Sequence, residues 1–102
     1  MMVKLLETAE TDLEEGYLFY EKQKAGLGDL FLESLSLDME SLSLHGGIHR
    51  RIYGSHRLLA HRFPFAIYYD MINEEVWIWA VMDCRRKPSH MFKRLKSHRR
   101  SS

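Results

Sequence analysis

The chain is poor in the residues that staple, anchor or interrupt a fold. It has one cysteine, Cys84, so no internal disulfide can form, and a reducing cytoplasm is the expected compartment. No apolar run approaches the roughly 20 residues that a membrane-spanning helix needs, and the start lacks a secretory signal pattern. Two prolines and six glycines are too few for a long linker, and no internal repeat is visible. The six histidines (His45, His49, His56, His61, His90 and His98) are scattered, with no carboxylate or Cys beside them at ligand spacing, so no metal or other cofactor is expected. Gly26-Leu27-Gly28 follows a helical pattern and not a strand, which makes it a helix turn and not a phosphate loop. From Cys84 onward there is no acidic residue at all.

That last absence belongs to a wider division. Residues 1–48 hold three Lys/Arg against ten Asp/Glu, a net −7, and residues 49–102 hold twelve against four, a net +8. The balance of +1 hides this. Such asymmetry implies either a solvated basic tail or a basic working face that attracts a polyanion or an acidic peptide. With 102 residues, 45% of them apolar, the chain has room for one packed domain. It is expected over 1–96, with 97–102 as a disordered basic tail.

The order of periodicities predicts an α+β fold, β-α-α-β-β-β, with a helical hairpin on a small, mainly antiparallel sheet. Met2–Leu6 reads as a first strand. Thr8 is placed to N-cap a helix that Gly26 stops near Ala25, with Ala9, Leu13, Gly16 or Tyr17, and Tyr20 at core spacing. A second helix runs from Gly28 to Leu44, ended by Gly46-Gly47. Residues 50–53 hold part of a strand, and Gly54-Ser55 a turn. Then comes a meander: Arg57–Phe63, Phe65–Ile72 and Val76–Asp83, the last two rich in β-branched and aromatic residues. Asn73-Glu74-Glu75 is the hairpin break, and Pro64 marks the other turn because it cannot donate to a ladder. Val76, Ile78, Ala80 and Met82 are expected beneath the helices. Trp77 and Trp79 then lie on the open concave face, as a cover for the sheet or as a binding surface. Residues 89–96 form a short basic helix carrying Met91, Phe92 and Leu95.

Arginine's planar fork suits phosphate or carboxylate oxygens, which singles out Arg57, Arg62, Arg85 and Arg86. The odd spacing of Arg57 and Arg62 puts them on opposite strand faces unless a bulge intervenes, and His61 shares the face of Arg57. At least one of Arg85 and Arg86 is expected to reach the concave face. The alternative is surface ion pairs with Asp70, Glu74 or Asp83, each worth little. Cys84 is expected to pack at the strand end.

The segment RFPFAIYY followed by VWIWAVMDCRRKP resembles the RelE/ParE family of bacterial toxins, and more closely the ParE branch. Ala9, Asp12-Leu13, Tyr20-Glu21 and Gly26-Leu27-Gly28 with Phe31 fit the family's helical hairpin, so the resemblance covers about Val3 to Pro88. It implies the toxin of a type II toxin–antitoxin pair: an inhibitor of DNA gyrase, neutralised by an acidic, partly disordered antitoxin, with operator DNA met only through that antitoxin. The target- and antitoxin-binding set expected on it is Arg57, Arg62, Trp77, Trp79, Arg85, Arg86, Lys87, Met91, Phe92, Lys93 and Arg94. The RelE branch instead cleaves messenger RNA without a metal, often with a late Tyr. Here no Tyr follows Tyr69, and Phe92 stands about where one is expected. If that chemistry applied, His61, Arg62, Arg85, Arg86 and His90 would carry it, with Lys87 in support. A third reading is a non-toxic co-repressor that only binds its antitoxin. The chain also departs from the ParE pattern at Asp83, where family members often carry His. An acid there partly neutralises the arginine pair.

Overall fold

The computed structural model describes residues 1–101. β1 (Val3–Leu5) leads into α1 (Glu7–Gln23) and α2 (Leu27–Glu40), followed by a short α3 (Leu42–His45). The chain continues through β2 (Arg51–Ile52), β3 (Ser55–Leu59), β4 (Phe65–Ile72) and β5 (Glu75–Asp83), and ends in α4 (Pro88–Ser101). The five strands form one sheet in the order β1-β5-β4-β3-β2, parallel only between β1 and β5. This is the expected α+β arrangement. The tight connections fall within a residue of their expected places: Tyr53-Gly54 and Asn73-Glu74 have positive φ, the backbone of two-residue hairpin turns that match strand twist, while Ser55 and Glu75, expected in the turns, already belong to β3 and β5.

The helical hairpin packs close because two glycines let it. A Cβ on Gly16 would lie 2.5 Å from Phe31 Cζ, and one on Gly28 2.7 Å from the Tyr17 carbonyl oxygen. Glu21 ties the hairpin turn by accepting the Gly26 and Gly28 N–H groups at 3.0 and 2.9 Å. Beneath lies a cluster in which Phe31, Leu35, Leu42, Ile67, Tyr69, Val76 and Ile78 are fully buried.

Several details differ from the sequence expectation, each for a local reason. Thr8 does not cap α1. The N-cap is Leu6, without a side-chain bond, and the Thr8 hydroxyl donates to the Trp79 carbonyl at 2.6 Å. Because β1 pairs β5 only as far as Ile78, the β5 edge beyond needs other partners. Thr8 supplies one, and Asp12 accepts the Val81 N–H at 2.9 Å.

β3 stops at Leu59 and does not reach Phe63. The chain there turns to α2, where the buried Asp38 carboxylate accepts the His61 N–H at 3.1 Å and pairs with its ring. A register shift between Tyr68 and Tyr69 leaves Trp79 as an extra residue on β5, since Tyr68 pairs Ala80 and Tyr69 pairs Ile78. Val76 and Ile78 therefore face the hairpin as expected. Ala80 and Met82 do not, and Val81 takes their place.

The largest difference is at the C-terminus. α4 extends through residues 97–101, where a disordered tail was expected, and it lies across the sheet face opposite the hairpin. Ser102 lies outside the described residues. The concave face is thus covered, and Trp79 is 1% exposed beneath α4.

Candidate functional site

α4 crosses the sheet on few apolar contacts. Leu95 is buried, and Met91 packs on a small cluster of Ala66, Tyr68, Trp79 and Ala80. Polar contacts supply the rest. Arg94 makes a two-pronged bond to the Asp12 carboxylate, both contacts 2.8 Å, and burial opposes but does not outweigh the rise this gives its pKa. Further along, four side chains close a ring. The Trp79 indole N–H donates to Ser55 Oγ at 3.1 Å, and Ser55 donates to Asp70 at 2.7 Å. The other Asp70 oxygen meets His98 Nε2 at 2.7 Å, and the His98 ring stacks on Trp79 at 4.0 Å and 2°. Arg99 donates to the Tyr53 carbonyl at 2.8 Å.

Under the first turn of α4 a cleft of about 180 Å³ opens between the sheet and the Cys84–Lys87 turn. Arg57 enters from β3, directly across from Tyr68 on β4. Arg86, Lys87 and His90 enter from the turn and the helix start, with Met91 as an apolar wall. Asp83 is the only carboxylate lining it, and Arg85 consumes that charge: Nε and Nη2 reach the two oxygens at 2.9 and 2.7 Å, and the Arg85 N–H adds a third bond. The Arg85 side-chain bonds hold the Asp83 carboxyl below the usual range, against the opposing pull of burial. Arg57, Arg86 and Lys87 enter no ion pair among the described residues. The cleft therefore presents net positive charge. Burial pushes the Tyr68 hydroxyl up while the Arg57 hydrogen bond and charge pull it down, so at neutral pH it remains a donor. Burial likewise pushes up the Cys84 thiol, against the pull of Arg57.

Of the residues singled out in the sequence, the cleft gathers Arg57, Arg86, Lys87, His90 and Met91. It does not gather the others. Arg85 turns to the hairpin side, where Nη2 donates to the Tyr20 hydroxyl at 3.3 Å and the guanidinium lies 5.9 Å from the Phe19 ring. His61 and Arg62 line a separate groove against α2, with Asp38 and Leu37. Trp77 lies far along β5 with Lys4 4.5 Å over its ring, and Trp79 is sealed under α4. Phe92 and Lys93 are exposed on α4, Phe92 edge-on to Tyr53 at 4.9 Å, and Arg94 is bound to Asp12. Tyr68, absent from the expected set, sits inside the cleft. Its only sequence signal is a strand register that places it opposite Arg57. Among the described residues no group of three or more His, Cys, Asp or Glu is arranged to hold a metal ion. No helix there is long and apolar enough to cross a membrane.

No protein-family model matches the chain, and no curated protein matches it by sequence. A solved structure does match. It is described as the chromosomal ParDE TA system from P. aeruginosa, and it superposes with a TM-score of 0.69 at 20% identity, covering 81% of this chain and 95% of the matched one. The fold is ParE-like. In this ParE-like chain the positive charge converges at the end of β5 and the start of α4, while the hairpin on the far side of the sheet carries most of the negative charge.

Proposed function

We propose that this chain is the toxin of a type II toxin–antitoxin pair, of the ParE kind, and that it arrests growth in the bacterial cytoplasm by binding DNA gyrase. A cognate acidic antitoxin, partly disordered alone, neutralises it by folding onto it, and operator DNA is met only through that antitoxin. The observation that carries this reading is the ParE-like fold with an unpaired cationic cleft, Arg57, Arg86 and Lys87, at the end of β5. Arg57, Arg86 and Lys87, with Met91 beside them, are the groups placed to meet acidic side chains of a protein partner. No covalent step is required of them. His61, the histidine first in line as a base, is held by Asp38 away from the cleft.

One observation favours a second reading, metal-independent RNA cleavage. Tyr68 and His90 share the cleft with Arg57 and Arg86, so a hydroxyl proton donor, an imidazole and two phosphate-binding forks stand together. The same purified protein decides between the two. Incubated with gyrase and relaxed plasmid, it is expected to block supercoiling; incubated with RNA and chelator, with or without ribosomes, it is expected to leave the RNA intact. Fragments with 2′,3′-cyclic ends, lost on His90→Gln, together with unimpeded supercoiling, would move the assignment to the nuclease.

A further inference from the structure

The chain between β3 and β4 is pinned on both sides of His61. The Ala60 N–H donates to the Phe65 carbonyl at 2.9 Å, and the Phe63 ring packs on Tyr20 and Phe31 at 4.9 and 5.2 Å. Asp38, 6% exposed, then takes both polar groups of the residue: Oδ2 accepts the backbone N–H, and Oδ1 accepts the ring Nδ1–H. A carboxylate only accepts, so in the neutral ring the proton sits on Nδ1, and Nε2 across the ring keeps its lone pair. The His61 side chain is 78% exposed. Among the described residues the other histidine held by a carboxylate is His98, and its ring is stacked flat on Trp79. The groove that His61 enters measures about 340 Å³, with Leu30, Leu37, Glu33 and Arg62 along it. Arg62 enters no ion pair among the described residues.

We propose that this groove is an acyl-transfer site that hydrolyses neutral, apolar esters. The lone pair of His61 Nε2 attacks the ester carbonyl carbon, a C–N bond forms, and the developing oxyanion meets the Arg62 guanidinium. The C–O bond then breaks, and the alcohol oxygen leaves with its electron pair. Asp38 is the positioning residue: it fixes the ring and offsets the positive charge of the acylated imidazole. Water adds to the acyl carbon and yields its proton to the departed alkoxide. The C–N bond breaks and returns the lone pair to Nε2, so the net reaction is ester plus water to acid plus alcohol. Leu30 and Leu37, both exposed, take the acyl chain. Glu33 and Asp38 put negative charge on the α2 wall, which repels a phosphate ester and selects an uncharged substrate. The groove shares no residue with the cleft, and this activity does not depend on what the cleft binds.

The test is hydrolysis of p-nitrophenyl hexanoate, acetate and phosphate by the full chain, with acid-quenched protein digested and searched by mass spectrometry for a hexanoyl group on the His61 peptide. The hexanoate is expected to have a kcat/KM about tenfold above the acetate, and the phosphate to stay intact. His61→Gln keeps an N–H for Asp38 and is expected to lose the adduct and at least about tenfold in rate. Arg62→Gln should lower kcat as well. Both positions are exposed, so neither variant should melt far from the unaltered chain. Asp38→Asn should lower kcat at unchanged KM, and Leu37→Ser should raise KM at unchanged kcat. His45→Gln, an exposed histidine at the end of α3, should match the unaltered chain. A rate that survives His61→Gln, or falls equally in His45→Gln, would overturn the proposal. So would turnover of the phosphate in place of the esters.

Discussion

On the hairpin side of the sheet, the Tyr20 and Phe31 rings lie 5.2 Å apart and each lies 4.9–6.2 Å from Phe63 and Phe65, over strand residues that are fully buried. On the α4 side, Leu95 is the only buried residue of the helix among those described, and charged or polar groups of Arg94, His98 and Arg99 do much of the holding. The first face is closed by area removed from water and aromatic packing, which need no exact partner. The second is closed by directional bonds that depend on charge and geometry. The comparison teaches that one helix layer makes the fold and the other is fastened onto it, and the candidate cleft opens where the fastened layer begins.

Breaking the first face should have the largest effect. Phe31→Ala is expected to cost about 3–5 kcal/mol of global stability, read as a lower urea midpoint with one cooperative transition. Asp12→Ala should cost about 1.5–3 kcal/mol, because it strands Arg94 and the Val81 N–H together. Its signature is different: hydrogen exchange should speed up in α4 and at Val81 while the β4 amides stay protected. Gly16→Ala forces the Phe31 ring to move and is expected to cost about 1–3 kcal/mol, shared by the whole hairpin.

The smallest effect concerns pH. His49 pairs with the Tyr69 hydroxyl, which also accepts the Gly47 N–H at 3.0 Å, and the His49 pKa is lowered by burial first, then by His56 and His45. A depressed histidine favours its neutral form in the fold. Its contribution is therefore present above the ordinary histidine pKa and is lost as pH falls through the lowered value. Melting temperature should drop between about pH 7.5 and 5.5, and less so in His49→Gln.

The hairpin face was legible in the sequence because apolar spacing encodes it. Ala9, Leu13, Tyr20, Phe31 and Leu35 recur at helical intervals, and all are buried. The α4 face was not. A segment as polar as Lys93–Arg100 reads as solvated, and nothing along the chain says that Arg94 will meet Asp12 or that His98 will stack on Trp79. The extra residue at Trp79 was equally silent, and it reversed the faces of Ala80, Val81 and Met82. In the cleft, Arg86 and Lys87 stood out as a charge run, whereas Arg57 and Tyr68 become neighbours only through strand register. For the same reason, removing Ser89 onward is a poor probe of function, since it would uncover Trp79 and Tyr68. Point changes inside the cleft are needed.

The most direct test is growth arrest on induced expression of Arg57→Gln with Arg86→Gln, beside the unaltered chain and Trp77→Phe. Neither arginine makes an ion pair among the described residues, so the double variant should melt within a few degrees of the unaltered chain. It is expected to lose growth inhibition, while Trp77→Phe keeps it. Full toxicity in a folded double variant would contradict the assignment of the cleft as the target-facing site.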